Sequence, residues 1–177
     1  MQEGLAKIAE LADLRAAIRW HLIGPLQSNK TREVAAHFDW VHTVDRLKLA
    51  QRLSDQRPPE LAPLQVCLQV NISGEASKSG VAPAEVAALA RAVAVLPRLR
   101  LRGLMAIPEA CAGIESQRAP HRALRELLES LDAEGLALDT LSMGMSGDLE
   151  NAILEGATHV RVGTALFGPR VIHDDKN

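Results

Sequence analysis

Residues 141–168, LSMGMSGDLENAILEGATHVRVGTALFG, read as strand, small-residue turn, helix, strand and a second small-residue turn. Residues 141–143 make a short apolar strand, and Gly144 and Gly147 bracket Ser146 at its end. Across residues 148–157, Leu149, Ala152, Ile153 and Gly156 recur on one helical face. Val160 and Val162 then flank Arg161 in a strand that ends at Gly163 and Thr164. A strand–helix–strand unit of this kind pairs its strands in parallel, because the helix carries the chain back to the same end.

The same alternation runs upstream. Leu5, Ile8, Ala12 and Ala16 form one stripe of a helix expected over residues 2–19. A short strand at 20–24 follows, then a turn at 25–29 and a helix ending near His37. Residues 40–44 are the next strand, and Asp45 is placed to cap a helix reaching Gln56. Pro58, Pro59 and Pro63 mark a linker before the β-prone run 64–72, LQVCLQVNI. After a loop at 73–80, a helix of mostly Ala, Val and Leu starts at Pro83 and ends at Leu96. A strand at 100–107 and a helix at 120–133 complete the series. Six strands alternate with helices and no hairpin signal intervenes, so an all-parallel α/β sheet is expected, curling toward a barrel. A complete eight-unit barrel needs at least about 200 residues. This chain has 177 and opens directly in a helix, so it is either an open six-stranded sheet or a barrel without its first two strands.

Composition narrows the function. Apolar residues make up 47% of the chain, which fits one globular domain over residues 1–168 with a polar tail at 169–177. Formal charge is −2 with no long basic run, which argues against nucleic acid or an anionic membrane as partner. The arginines of 97–102, PRLRLR, are read as the solvated entry to a strand. No apolar stretch is long enough to span a bilayer, and the first residues lack a signal-peptide pattern. Cys67 and Cys111 lack metal-ligand spacing, and two unpaired thiols suit the cytoplasm.

The two small-residue turns suggest a ligand. Each lies at the carboxyl end of a strand, where backbone N–H groups and the hydroxyls of Ser146 and Thr164 share one rim. The first turn also leads into a helix, and loops after the last two barrel strands are a recurrent phosphate site. Ser146 as a simple helix cap is the plainer alternative. A hydrolase elbow is excluded, because GMSGD ends in Asp148 where that motif needs glycine. Strand parity points Arg161 inward if Val160 and Val162 face helices. No predicted strand interior contains Asp or Glu, so a ligand acceptor near the turns is the expected partner for its charge. His21 and His42 also lie on strands, where a histidine is usually a hydrogen-bonded structural residue.

Six blocks carry a family likeness: HLIGPLQSNK (21–30), VHTVDR (41–46), QVNISGEASKSG (69–80), RGLMAIP (102–108), LSMGMSGDLENAI (141–153) and VRVGTALFG (160–168). In order and spacing they resemble the pyridoxal phosphate homeostasis proteins. The resemblance implies a (β/α)₈ barrel like the N-terminal barrel of alanine racemase. It also implies pyridoxal 5′-phosphate (PLP) as cofactor, a monomer in the intact family, and a role in vitamin B6 and amino-acid homeostasis without turnover. Carried over by motif, Ser146, Gly163 and Thr164 hold the phosphate, Arg161 faces the pyridine nitrogen and Met143 lies near the ring.

The resemblance also implies a PLP-bonding lysine on a first strand, upstream of residues 21–30. Residues 1–4 resemble the end of a second-strand motif, so two strands are expected to be missing. Lys7, Lys30, Lys48, Lys78 and Lys176 do not match that lysine. A racemase reading is the alternative. It needs a second base that the racemases take from tyrosine, and this chain has none. A fragment with only residual phosphate binding, self-associating through the exposed edges at 20–24 and 160–163, is the remaining reading.

Overall fold

The structure is a computed structural model that describes residues 1–74, 79–109 and 111–168. The expected tail at 169–177, with His173 and Lys176, and the loop residue Lys78 lie outside them. Six strands form one sheet in sequential order: β1 (His21–Leu22), β2 (Trp40–Val44), β3 (Leu64–Gln69), β4 (Leu99–Met105), β5 (Thr140–Met145) and β6 (His159–Arg161). Every neighbouring pair is parallel. Among the described residues seven α-helices separate or flank the strands: α1 (Gln2–Glu10), α2 (Thr31–His37), α3 (Leu47–Gln56), α4 (Val86–Ala94), α5 (Ile114–Ala133), α6 (Leu149–Leu154) and α7 (Thr164–Phe167). The result is an incomplete β/α barrel whose described edges are β1 and β6.

The main core fills the layer between the outer face of the sheet and the helices. Val41, Leu64, Val66, Leu68, Leu104 and Leu141 pack there with Val34, Leu49, Leu53, Ala90, Val93, Leu124 and Leu131 from the helices. A second, smaller buried cluster of Trp40, Cys67 and Met105 lies on the inner face. The alternation along β2 and β3 produces this division, since successive side chains leave opposite faces. A bulge in β4 opposite Val66 and Cys67 resets the parity, so Leu101 and Leu104 both reach the helix layer.

Several boundaries differ from the sequence reading. The first helix stops at Glu10 rather than Arg19, and a 3₁₀ turn at Ala12–Leu14 follows. Arg15 leaves the helical path to bind both oxygens of Asp39, each at 2.8 Å, and Asp39 also accepts the Trp20 N–H. The first strand shrinks to His21–Leu22. Asp45 caps nothing: α3 begins after Arg46, with no side-chain cap. Pro120 is not a helix start but lies inside α5, whose first turns are tied to α6 by Asn151 Nδ2–Gln117 Oε1 (2.6 Å) and Arg118–Glu155 (2.6 Å). The proline linker is anchored by the buried guanidinium of Arg57, which donates to the carbonyls of Ala35, Phe38 and Ala62. Arg102 is more than a solvated strand entry, since it binds both oxygens of Asp139 and lies 4.9 Å from the Trp40 ring centre.

Candidate functional site

Three loops at the carboxyl ends of β4, β5 and β6 enclose a cavity of about 710 Å³. Ser146, Gly147 and Asp148 form one wall, Arg161 to Thr164 a second, and Pro108, Glu109, Cys111 and Gln117 the third. The size lies within the range of about 300–1,000 Å³ that small-molecule sites occupy. Among the expected site residues, Ser146, Arg161, Gly163 and Thr164 all line it. Met143 does not. Its side chain is fully buried in the main core, and Met145, two residues on, takes the place at the cavity.

The turn after β5 is built by hydrogen bonds to Asp148. The Met145 N–H donates to Asp148 Oδ1 at 2.7 Å, and the Asp148 N–H donates to the Met145 carbonyl at 3.1 Å. These bonds leave Ser146 and Gly147 at the tip, exposed to the cavity. Asp148, not Ser146, stands at the cap position of α6, which has only six residues. The helix dipole is therefore a small contributor, and the turn's own N–H and O–H groups are the donors on offer. Among the described residues the hydroxyls of Ser146 and Thr164 have no protein partner. Gly144 has φ +91°, and a Cβ there would lie 2.5 Å from the Ala152 Cβ, so glycine lets β5 pass close under α6.

Arg161 sits on the inner face, as parity suggested. Its Nη1 donates to Ser142 Oγ at 3.0 Å and its Nη2 to the Ala106 carbonyl at 2.9 Å, while its Nε is buried without a partner among the described residues. Burial lowers its pKa from the ordinary value, with Asp148 working the other way. Its acceptors are neutral, so among the described residues no carboxylate bonds this cation directly.

Behind Arg161 lies a cluster that the sequence reading did not assemble. His42 Nδ1 is 2.8 Å from Ser142 Oγ, and His42 Nε2 is 2.8 Å from His21 Nδ1. His21 stacks on Trp40 with ring centres 5.1 Å apart, and His159 closes the group at 5.2 Å from Trp40. Burial, reinforced by His21, His159 and Arg161, pushes the His42 imidazole down to about 3. Burial also lowers His21 and His159. Both strand histidines expected to be hydrogen-bonded are so. Cys67 is buried, its thiol pushed up to about 12 by burial, and Cys111 is exposed at the cavity. No helix among the described residues is long and apolar enough to cross a membrane.

This geometry agrees with what the chain resembles. Residues 2–171 match the family model described as alanine racemase, N-terminal domain. The pyridoxal phosphate homeostasis protein of Pseudomonas aeruginosa is 67% identical over 170 residues, covering 96% of this chain and 72% of that protein. This chain belongs to the pyridoxal phosphate homeostasis protein family. PipY of Synechococcus elongatus, solved with PLP bound, superimposes with a TM-score of 0.84 at 40% identity, covering 94% of this chain and 78% of that one. Alanine racemase of Clostridium difficile shares the fold alone, with a TM-score of 0.73 at 15% identity over 94% of this chain and 44% of that one.

Proposed function

We propose that this chain binds PLP in the cavity between the β5–α6 and β6–α7 turns, and serves as a carrier or regulator in vitamin B6 and amino-acid homeostasis rather than as an enzyme. The observation that carries this reading is the pairing of two donor-bearing turns with one half-buried cation. Ser146, Gly163 and Thr164 share the cavity wall with Arg161, and both hydroxyls are free of protein partners among the described residues. That donor set fits a phosphate arm attached to an aromatic ring. The kinship with a PLP-bound protein supports the same choice of ligand.

The residues divide the work. Ser146, Thr164 and the backbone around Gly163 bind and orient the phosphate. Arg161 offers a donor to the pyridine nitrogen and keeps a proton off it, because a guanidinium cannot accept one. Bound PLP supplies an electron-withdrawing ring, and an unprotonated nitrogen weakens that capacity. Met145 lines the apolar side of the cavity. None of these 177 residues is a tyrosine, the residue type a racemase would use as its second base. Each of these features favours holding the cofactor over turning it over.

Equilibrium dialysis of PLP and of inorganic phosphate against wild type and Ser146→Ala tests the reading. A lost hydrogen bond to a charged group should weaken both ligands about tenfold. Equal affinities in the two proteins would remove Ser146 from the site. Amino-acid racemisation by the PLP-loaded protein would overturn the non-enzymatic role, and no binding at all would leave the fragment reading.

A further inference from the structure

The chain of side chains behind Arg161 has a single consistent direction. A guanidinium can only donate, so Ser142 Oγ accepts from Arg161 Nη1. Ser142 is fully buried, and among the described residues its hydroxyl has just one other neighbour, His42 Nδ1. Two arrangements remain. If His42 carried its proton on Nδ1, Ser142 Oγ would accept twice and its own buried proton would have no acceptor, a costly loss. If Ser142 donates to His42 Nδ1, every proton is placed: His42 carries N–H on Nε2 and donates to His21 Nδ1. His21, at the exposed end, then carries its proton on Nε2.

We propose that His42 and His21 are positioning residues for Arg161, acting through Ser142 as a one-way chain of donors, Arg161 to Ser142 to His42 to His21. The chain supplies the cation with a neutral, fixed acceptor in place of a carboxylate. Arg161 is thereby held in orientation without being neutralised, and its charge stays directed at the ligand. Its packing reinforces this: His21, Trp40, His42 and His159 form a group with ring centres 5.1–5.9 Å apart, which leaves His42 little freedom to turn. Any effect on PLP rests on the reading that Arg161 meets the ligand ring, whereas the direction of the chain does not.

Two measurements separate these levels. Side-chain ¹⁵N NMR of the wild-type protein near neutral pH should show both His42 and His21 protonated on Nε2. Arg161→Gln, which removes the obligate donor, should let the His42 tautomers mix. A proton on His42 Nδ1 in the wild type overturns the proposal. In parallel, His42→Phe should weaken PLP about tenfold while leaving inorganic phosphate within about twofold, and His42→Asn, whose Oδ1 can stand in for Nδ1, should recover most of the loss. Equal PLP affinity in wild type and His42→Phe overturns the positioning role. If the wild type binds neither PLP nor phosphate, the site reading fails instead, and the tautomers still decide the chain.

Discussion

His121 Nε2 lies 2.9 Å from Asp148 Oδ2, which ties α5 to the turn that carries Ser146. His121 is fully buried, and its Nδ1 has no partner among the described residues. Asp148 therefore joins two elements at once: one oxygen takes His121, the other takes the Met145 N–H. Asp148→Ala should break both bonds and leave a buried imidazole with no partner on either nitrogen, costing about 3 kcal/mol. Asp148→Asn keeps an acceptor for Met145 and should cost less. Urea unfolding ranks the three proteins, and phosphate affinity should fall in the same order. Asp148→Ala as stable as wild type would show that the turn holds itself.

Gly144→Ala probes the same turn from below. The new Cβ would meet the Ala152 Cβ at 2.5 Å, and φ +91° suits no L side chain well. Strain and overpacking together should cost at least about 2 kcal/mol. Because β5 and α6 flank Ser146, phosphate affinity should drop even where the protein remains folded. A melting temperature unchanged from wild type would mean that α6 shifts freely away.

Acid should unfold the protein in two stages. The His42 imidazole is pushed from 6.5 to about 3, so between those values the unfolded chain binds the extra proton. Its stabilising contribution is complete above pH 6.5 and declines as pH falls toward the folded value. From pH 6.5 to about pH 4 this one residue removes about 3 kcal/mol, with the lowered His21 and His159 acting in the same direction. The carboxylates act later. Arg102 holds Asp139 below 3.8, and Arg15 with the Trp20 N–H does the same for Asp39 against the upward push of burial. Urea midpoints should therefore begin to fall near pH 6.5 in wild type, and fall less steeply over the same range in His42→Asn. A flat wild-type profile down to about pH 4.5 would contradict the depressed imidazole.

The strand order and two of the three cavity walls were legible because local pattern dictates them, whereas the wall of Pro108, Glu109, Cys111 and Gln117 was not. β2 follows the boundaries read from Trp40 to Val44, and the parity of β6 correctly turned Arg161 inward. Tertiary contacts decided what periodicity could not. Arg15 looked helical but is drawn to Asp39, 24 residues away. Pro120 looked like a helix start, yet contacts with α6 extend α5 back to Ile114. The motif resemblance implies Met143 near the ligand ring, whereas strand alternation places it against the helices. The His42–Ser142 bond joins residues 100 positions apart, and nothing in a single sequence announces such a pair. The spacing of His121 from Leu124 and Leu131 marks it as inward-facing, but only the fold supplies its partner Asp148.

Lysine placement leads to a prediction about how the ligand is held. Among the described residues no lysine lines the cavity: Lys7 pairs with Glu10 on α1, Lys30 borders a separate depression near Met1, and Lys48 lies on α3. Ser146, Gly163 and Thr164 all line the cavity, so on the proposed reading PLP should bind reversibly through its phosphate arm and leave on dialysis. Borohydride reduction followed by digestion and mass spectrometry should find no lysine modified in proportion to the bound ligand. Fusing the N-terminal segment of the Pseudomonas aeruginosa relative, where the family resemblance places the PLP-bonding lysine, should create one trappable site within that segment. Both proteins should keep similar affinity for inorganic phosphate, because Ser146 and Thr164 are common to them. A stoichiometric adduct on Lys30 or Lys78 of the present chain would show that it carries its own covalent anchor.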